Sequence, residues 1–175
     1  MLFMFASEKA NQQKRNGRLH MSKLIPMTSF EFDLYFEHLI QDYAADNVRA
    51  GYWSEDEAPE KSRKQTELLL TQGLQTKDHY LYTLFDGENA VGVIWLRVEL
   101  ERPIKSGFIF DVEIKEKFRG KGYGKQIMSL IEEKARELGV QKMGLHVFGY
   151  NTVAKNLYET VGYKVSSFNM IKNLE

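Results

Sequence analysis

The sequence predicts a mixed α/β domain folded around one central sheet. Three observations carry that prediction. The chain's 175 residues suit one compact domain. Its periodic segments run as two helices, a meander of strands, then strand, helix, strand, helix and strand. Its apolar fraction of 43% and aromatic fraction of 13% supply a core and argue against disorder.

Each element has a local reason. After Pro26, Phe30, Leu34, Phe36, Leu39, Ile40 and Tyr43 recur at helical spacing. Thr28 or Ser29 can cap that helix, and Glu31 falls in its first turn, where a carboxylate suits the helix dipole. Gly51 ends the region, and Ser54-Glu55-Asp56-Glu57 opens a second helix reaching to about Gln72. His79 to Phe85 and Ala90 to Leu100 alternate as strands across an Asp86-Gly87 turn. Pro103 and Gly107 interrupt the pattern before a third strand, Phe108 to Ile114. Ile127, Met128, Ile131, Ala135 and Leu138 form the apolar stripe of a helix from Gly122 to Leu138, which Gly139 stops. Met143 to Val147 is expected as a strand, Thr152 to Val161 as a helix and Tyr163 to Ile171 as a last strand. Residues 1–20 match neither a core nor a site pattern and are expected to be a poorly defined extension, with the domain spanning residues 21–175.

Composition excludes several functions. Lysine plus arginine number 24 and aspartate plus glutamate number 24, so no basic excess marks a nucleic-acid binder. There is no cysteine, which removes disulfides, thiolate metal sites and a cysteine nucleophile. The greasy run Met1 to Ala6 is too short for a membrane span. A soluble, cytoplasmic protein without membrane or nucleic-acid partners is expected. The histidines show no metal-ligand spacing, and no metal is expected.

The informative stretch runs from Asp111 to Lys125. A strand ends, a turn follows, and Gly120, Gly122 and Gly124 alternate with Lys121 and Tyr123 where a helix begins. The first turn of a helix leaves N–H groups unpaired at its positive end, and glycines let a ligand approach them. Arg119, Lys121 and Lys125 add charge, so the stretch reads as a phosphate or pyrophosphate cradle. It is not a P-loop, because Gln126 follows Gly124-Lys125 where serine or threonine is required. Nor is it a dinucleotide fingerprint, because Lys125 stands three residues after Gly122 where glycine is needed.

Arg119-Gly120-Lys121-Gly122-Tyr123-Gly124 resembles the Arg/Gln-x-x-Gly-x-Gly/Ala motif of the GNAT acetyltransferases. His146 to Asn151, Ala154, Leu157-Tyr158 and Gly162-Tyr163 resemble that family's second cofactor-binding region. The resemblance implies a mostly antiparallel central sheet with a splay between two central strands, flanked by about four helices. It implies acetyl-CoA as acyl donor, with the pantetheine arm on the backbone of Val112 to Ile114, and the pyrophosphate on Arg119 to Gly124. Asn151 would lie near the pantetheine, and Tyr158 by the thioester sulfur. The acceptor would be a small amine or a peptide, and a homodimer is possible within such a family.

That chemistry sets tasks for particular residues. With no cysteine to carry an acetyl group, direct transfer in a ternary complex is expected. An amine of pKa about 10.4 must lose a proton. His146 is the candidate base, because an imidazole titrates near neutrality. Tyr158 is the candidate acid for the departing thiolate. Asp111 and Glu113 share one face of their strand and could relay a proton or attract a cation, or merely form a polar sheet face. Tyr35, Tyr43, Tyr52 and Trp53 could shape an acceptor pocket or pack in the core. A non-catalytic acyl-CoA-binding protein and an acetyltransferase acting on protein N-termini or lysines are the competing readings.

Overall fold

The structure is a computed structural model that describes residues 22–172 and 174. The expectation for residues 1–20 lies outside the described residues. The chain begins with β1 (Lys23–Pro26), a short strand that four residues give no periodic signal for. Helices α1 (Ser29–Arg49) and α2 (Ala58–Leu69) follow, then strands β2 (His79–Asp86), β3 (Asn89–Glu99) and β4 (Ser106–Ile114). Helix α3 (Tyr123–Glu137), β5 (Lys142–Leu145) and α4 (Thr152–Thr160) complete the order.

Thr28 caps α1 through a full capping box. Its hydroxyl accepts from the Glu31 N–H at 3.2 Å, and the Glu31 carboxylate accepts from the Thr28 N–H at 2.8 Å. The same carboxylate accepts from the Thr83 hydroxyl at 3.0 Å, which ties the helix start to β2. Helix α2 starts later than Ser54 suggests. The Glu57 carboxylate reaches back to the Ser54 N–H at 3.2 Å, and Pro59 occupies the first turn, where its missing N–H costs nothing.

The strands form one sheet in the order β1-β2-β3-β4-β5. All pairings are antiparallel except β4 with β5, which is parallel. Gly107 does not break β4 as expected. It lies buried inside the strand, where an added Cβ would stand 2.7 Å from the Met143 sulfur. Two features then shape the strand's far end. A bulge shifts the β3–β4 register, so Trp95 pairs with Asp111 and Leu96 with Ile109, leaving Phe110 as the extra residue. The parallel pairing with β5 ends at Ile109↔Leu145, while β4 continues to Ile114. Residues 110–114 therefore have no strand partner on their β5 side among the described residues, and a splay opens there.

Helices cover both faces. Ile127, Met128, Ile131 and Ala135 of α3 pack with Leu84, Ile94, Leu96 and Ile109 on one face. Tyr35 packs with Leu81, Trp95 and Leu70 on the other. Ile131 is fully buried. Ile131→Ala is expected to destabilise the fold by about 2–5 kcal/mol, through lost transfer free energy and an unfilled cavity. Urea denaturation at constant slope checks it.

Two strand expectations need correction. Residues 163–172 form no strand, and Val165, Phe168, Met170 and Ile171 are exposed rather than alternating into a core. Their sequence alternates, but no strand among the described residues pairs with them, and alternation alone makes no ladder. Strand β5 also stops at Leu145, so His146 sits one residue beyond it rather than on it.

Candidate active site

A cleft of about 990 Å³ runs from the start of α3 through the splay to the flank of α1. Its two ends differ in chemistry, and each is built by local sequence.

At the first end, the 3₁₀ turn Glu116–Phe118 carries the chain from β4 into the glycine run. The Arg119 N–H is used by the Glu116 carbonyl, and the Lys125 N–H by that of Gly122. The N–H groups between them, from Gly120 to Gly124, have no protein acceptor among the described residues. Gly120 and Gly122 adopt φ of +73° and +87°, in the left-handed region that a side chain strains. A Cβ on either would meet nothing within 4 Å, so both leave open space above bare donors. Gly124 differs. Its added Cβ would stand 2.9 Å from Leu157, so this glycine lets α4 pack against α3. Such a cradle, at a helix N-terminus and beside Lys125, fits a pyrophosphate.

The flanking side chains brace the loop. The Arg119 guanidinium donates to the Ile114 carbonyl at 2.9 Å and lies 3.9 Å from the Glu113 carboxylate. The Lys121 ammonium donates to the Lys117 carbonyl at 2.8 Å. The Tyr123 hydroxyl donates to Asp86, which links α3 to the β2–β3 turn. Arg119 and Tyr123 still line the cleft, whereas Lys121 does not.

The middle of the cleft is the splay. Val112 and Ile114 line it from β4. Asn151 lines it from the other side and caps α4 with its side-chain oxygen, accepting from the Ala154 N–H at 3.1 Å. Tyr158, about two turns further along α4, is 9% exposed. Its hydroxyl has no hydrogen-bond partner among the described residues and lines the cleft. Burial, and then the nearby negative charge of Asp111, push that phenol up to about 12.

The far end is acidic. Asp111 accepts from the Tyr35 hydroxyl at 3.0 Å, and burial raises its carboxyl to about 6 against that bond. Glu113 lies 3.2 Å from the His38 imidazole, which also stands 3.2 Å from Asp42. Atoms of these three residues lie within 4.8 Å of one another, with the imidazole between the two carboxylates. Asp111 and Glu113 thus share the α1 side of β4, as their spacing implies. His146 lines the cleft with an exposed ring set edge-on to Phe148, at 5.0 Å between centroids. Of the aromatic residues near α1, Tyr35 and Tyr43 line the cleft. Trp53 packs edge-on against Tyr43 and Tyr52 against Phe148, outside it. Sequence reading missed His38 and Asp42. Their four-residue spacing with Asp46 along one helix was the available signal.

The raised carboxyl of Asp111 has a consequence for stability. Between the ordinary aspartate value and about 6, the folded protein binds a proton that the unfolded chain lacks, so this group's contribution falls as pH rises through that window. Asp111→Asn is expected to raise the melting temperature at pH 7.5 more than at pH 4.5, by differential scanning calorimetry at both values.

Comparison with known proteins bears on this geometry. The sequence profile of the acetyltransferase (GNAT) family matches residues 38–163. An uncharacterized N-acetyltransferase of Bacillus subtilis, YycN, is 37% identical over 152 residues, covering 86% of this chain and 97% of that protein. A second from the same organism, YdgE, is 34% identical over 149 residues, covering 85% and 95%. The crystal structure of YycN superposes with a TM-score of 0.86 at 36% identity, over 89% of this chain and 99% of that one. Among the described residues no helix is long and apolar enough to cross a membrane. The cradle, the splay and these matches agree, and the chain belongs to the GNAT family of acetyltransferases.

Proposed function

We propose that this acyltransferase moves an acetyl group from acetyl-CoA to a primary amine by direct transfer in a ternary complex. The carrying observation is one continuous cleft. Bare N–H donors lie at one end, an unpartnered Tyr158 hydroxyl in the middle and carboxylates at the other. Gly120 to Gly124 hold the pyrophosphate, and the open edge of β4 at Val112 and Ile114 receives the pantetheine arm. Asn151 faces the same arm from α4.

In the reaction the C–S bond breaks and a C–N bond forms. The nitrogen's proton passes to His146, directly or through Glu113 and Asp111. Tyr158 hydrogen-bonds the departing sulfur. The test is release of free thiol from acetyl-CoA over a panel of amines and peptides. Thiol release with an amine supports the reading; no CoA binding by calorimetry at millimolar concentration overturns it. His146→Ala is expected to lower turnover most near neutral pH and less at high pH, where free amine is already abundant. An unchanged pH–rate profile removes His146 from the proton path.

A further inference from the structure

We infer that the acceptor is a linear aliphatic di- or polyamine, seated along α1 with its remote ammonium on Asp42 and Asp46. This rests on the acetyl transfer proposed above and names its acceptor.

Helix α1 presents two neighbouring stripes to the cleft. Tyr35, Leu39 and Tyr43 form an apolar stripe at four-residue spacing. His38, Asp42 and Asp46 form a polar one beside it. The polar stripe begins at the reaction centre, because His38 touches Glu113 at 3.2 Å. Each four-residue step carries it about 6 Å further away. A methylene chain packs on the apolar stripe while ammonium groups meet the polar one. The apolar stripe does not bind a small hydrophilic monoamine, and the acids do not suit a fatty one.

Charge at this end is net negative. Asp42, Asp46, Asp111 and Glu113 face the cleft. The cations near them are already engaged. Arg119 donates to the Ile114 carbonyl, and Arg49 stacks 4.1 Å over the Tyr150 ring, whose hydroxyl donates to Asp46 at 2.6 Å. His38 is shared between two carboxylates. One imidazole between Asp42 and Glu113, and a neutral Tyr150 hydroxyl on Asp46, leave this end net negative, and an attacking amine that reacts neutral does not change that. A second amine, protonated at neutral pH, balances it. The hydroxyl of the buried Tyr158, without a hydrogen-bond partner among the described residues, marks where the reacting end lies.

The experiment measures thiol release from acetyl-CoA by the full chain. It compares 1,4-diaminobutane, 1,5-diaminopentane and spermidine with butylamine and pentylamine, and with a lysine-rich peptide. The expected kcat/KM for the diamines exceeds that of the equal-length monoamines by about tenfold or more, as loss of one charged hydrogen bond implies. Asp42→Asn, alone and with Asp46→Asn, is expected to erase the difference through KM while CoA affinity by calorimetry stays intact. That affinity also reports that each variant is folded. Rising salt should shrink the preference as well. Equal rates for mono- and diamines overturn the inference, as do a preference that survives both substitutions and a peptide that outperforms every diamine. CoA binding without turnover of any amine in the panel overturns the acceptor assignment while sparing the cradle. Absence of CoA binding sinks both readings.

Discussion

Tyr158→Phe is expected to lower turnover by about 10²–10³-fold while leaving CoA affinity nearly unchanged. The ring is packed into the core beneath the sheet and keeps its contacts in the variant. Only the hydroxyl is lost, and none of the described residues bonds it. Magnitudes decide how that hydroxyl works. A phenol held near 12 keeps its proton throughout the neutral range, so it is always present as a donor. A phenol raised that far holds its proton more tightly than an ordinary thiol, so complete proton transfer to the departing sulfur runs uphill. In the proposed reaction the hydroxyl would thus act chiefly as a hydrogen-bond donor to charge developing on sulfur, and the thiolate would gain its proton from water. Removing one such donor from a preorganised site typically costs about 10²–10³-fold. Single-turnover kinetics should place the loss on the chemical step. Full activity in the variant would make Tyr158 a packing residue, and collapse of CoA affinity would make its hydroxyl a binding contact.

Gly122→Asp is expected to abolish CoA binding altogether. Two effects act together. At φ of +87° any side chain strains the backbone, which costs on the order of 1 kcal/mol or more. The new carboxylate would also project into the open space above the bare N–H groups, the site proposed for the phosphates. It would occupy those donors itself and repel the anion. Gly122→Ala separates the contributions, since it adds the backbone strain without the charge. Alanine is expected to weaken binding several-fold, and aspartate to remove it from calorimetric detection. Binding by the aspartate variant at wild-type strength would show that the phosphates lie elsewhere.

Much of this was legible in the sequence, for identifiable reasons. Helix α3 showed plainly because its stripe of Ile127, Met128, Ile131 and Ala135 is uninterrupted and wholly buried. The cradle showed because closely spaced glycines before a helix are costly in conformational entropy unless used. Strand β1 did not show, because four residues carry no period. The last strand was misread, because pairing depends on a partner that local alternation cannot reveal. The bulge at Phe110 was also hidden, since register is a property of two strands together. Side-chain placements divided similarly. Tyr158 came from its motif, whereas the Tyr35–Asp111 bond spans 76 residues and leaves no local trace.

On the proposed reading, the early end of the β4–β5 pairing would make the ligand part of the architecture. The backbone groups of residues 110–114 on that side form a short exposed edge, which is a template for any extended segment. When the pantetheine arm lies along it, the cofactor serves as a missing strand. Amide hydrogen exchange at Val112 to Ile114 should accordingly slow on CoA addition, beyond any global stabilisation. The same edge left bare invites pairing between molecules, so the ligand-free protein should associate more readily at high concentration than the CoA-loaded form.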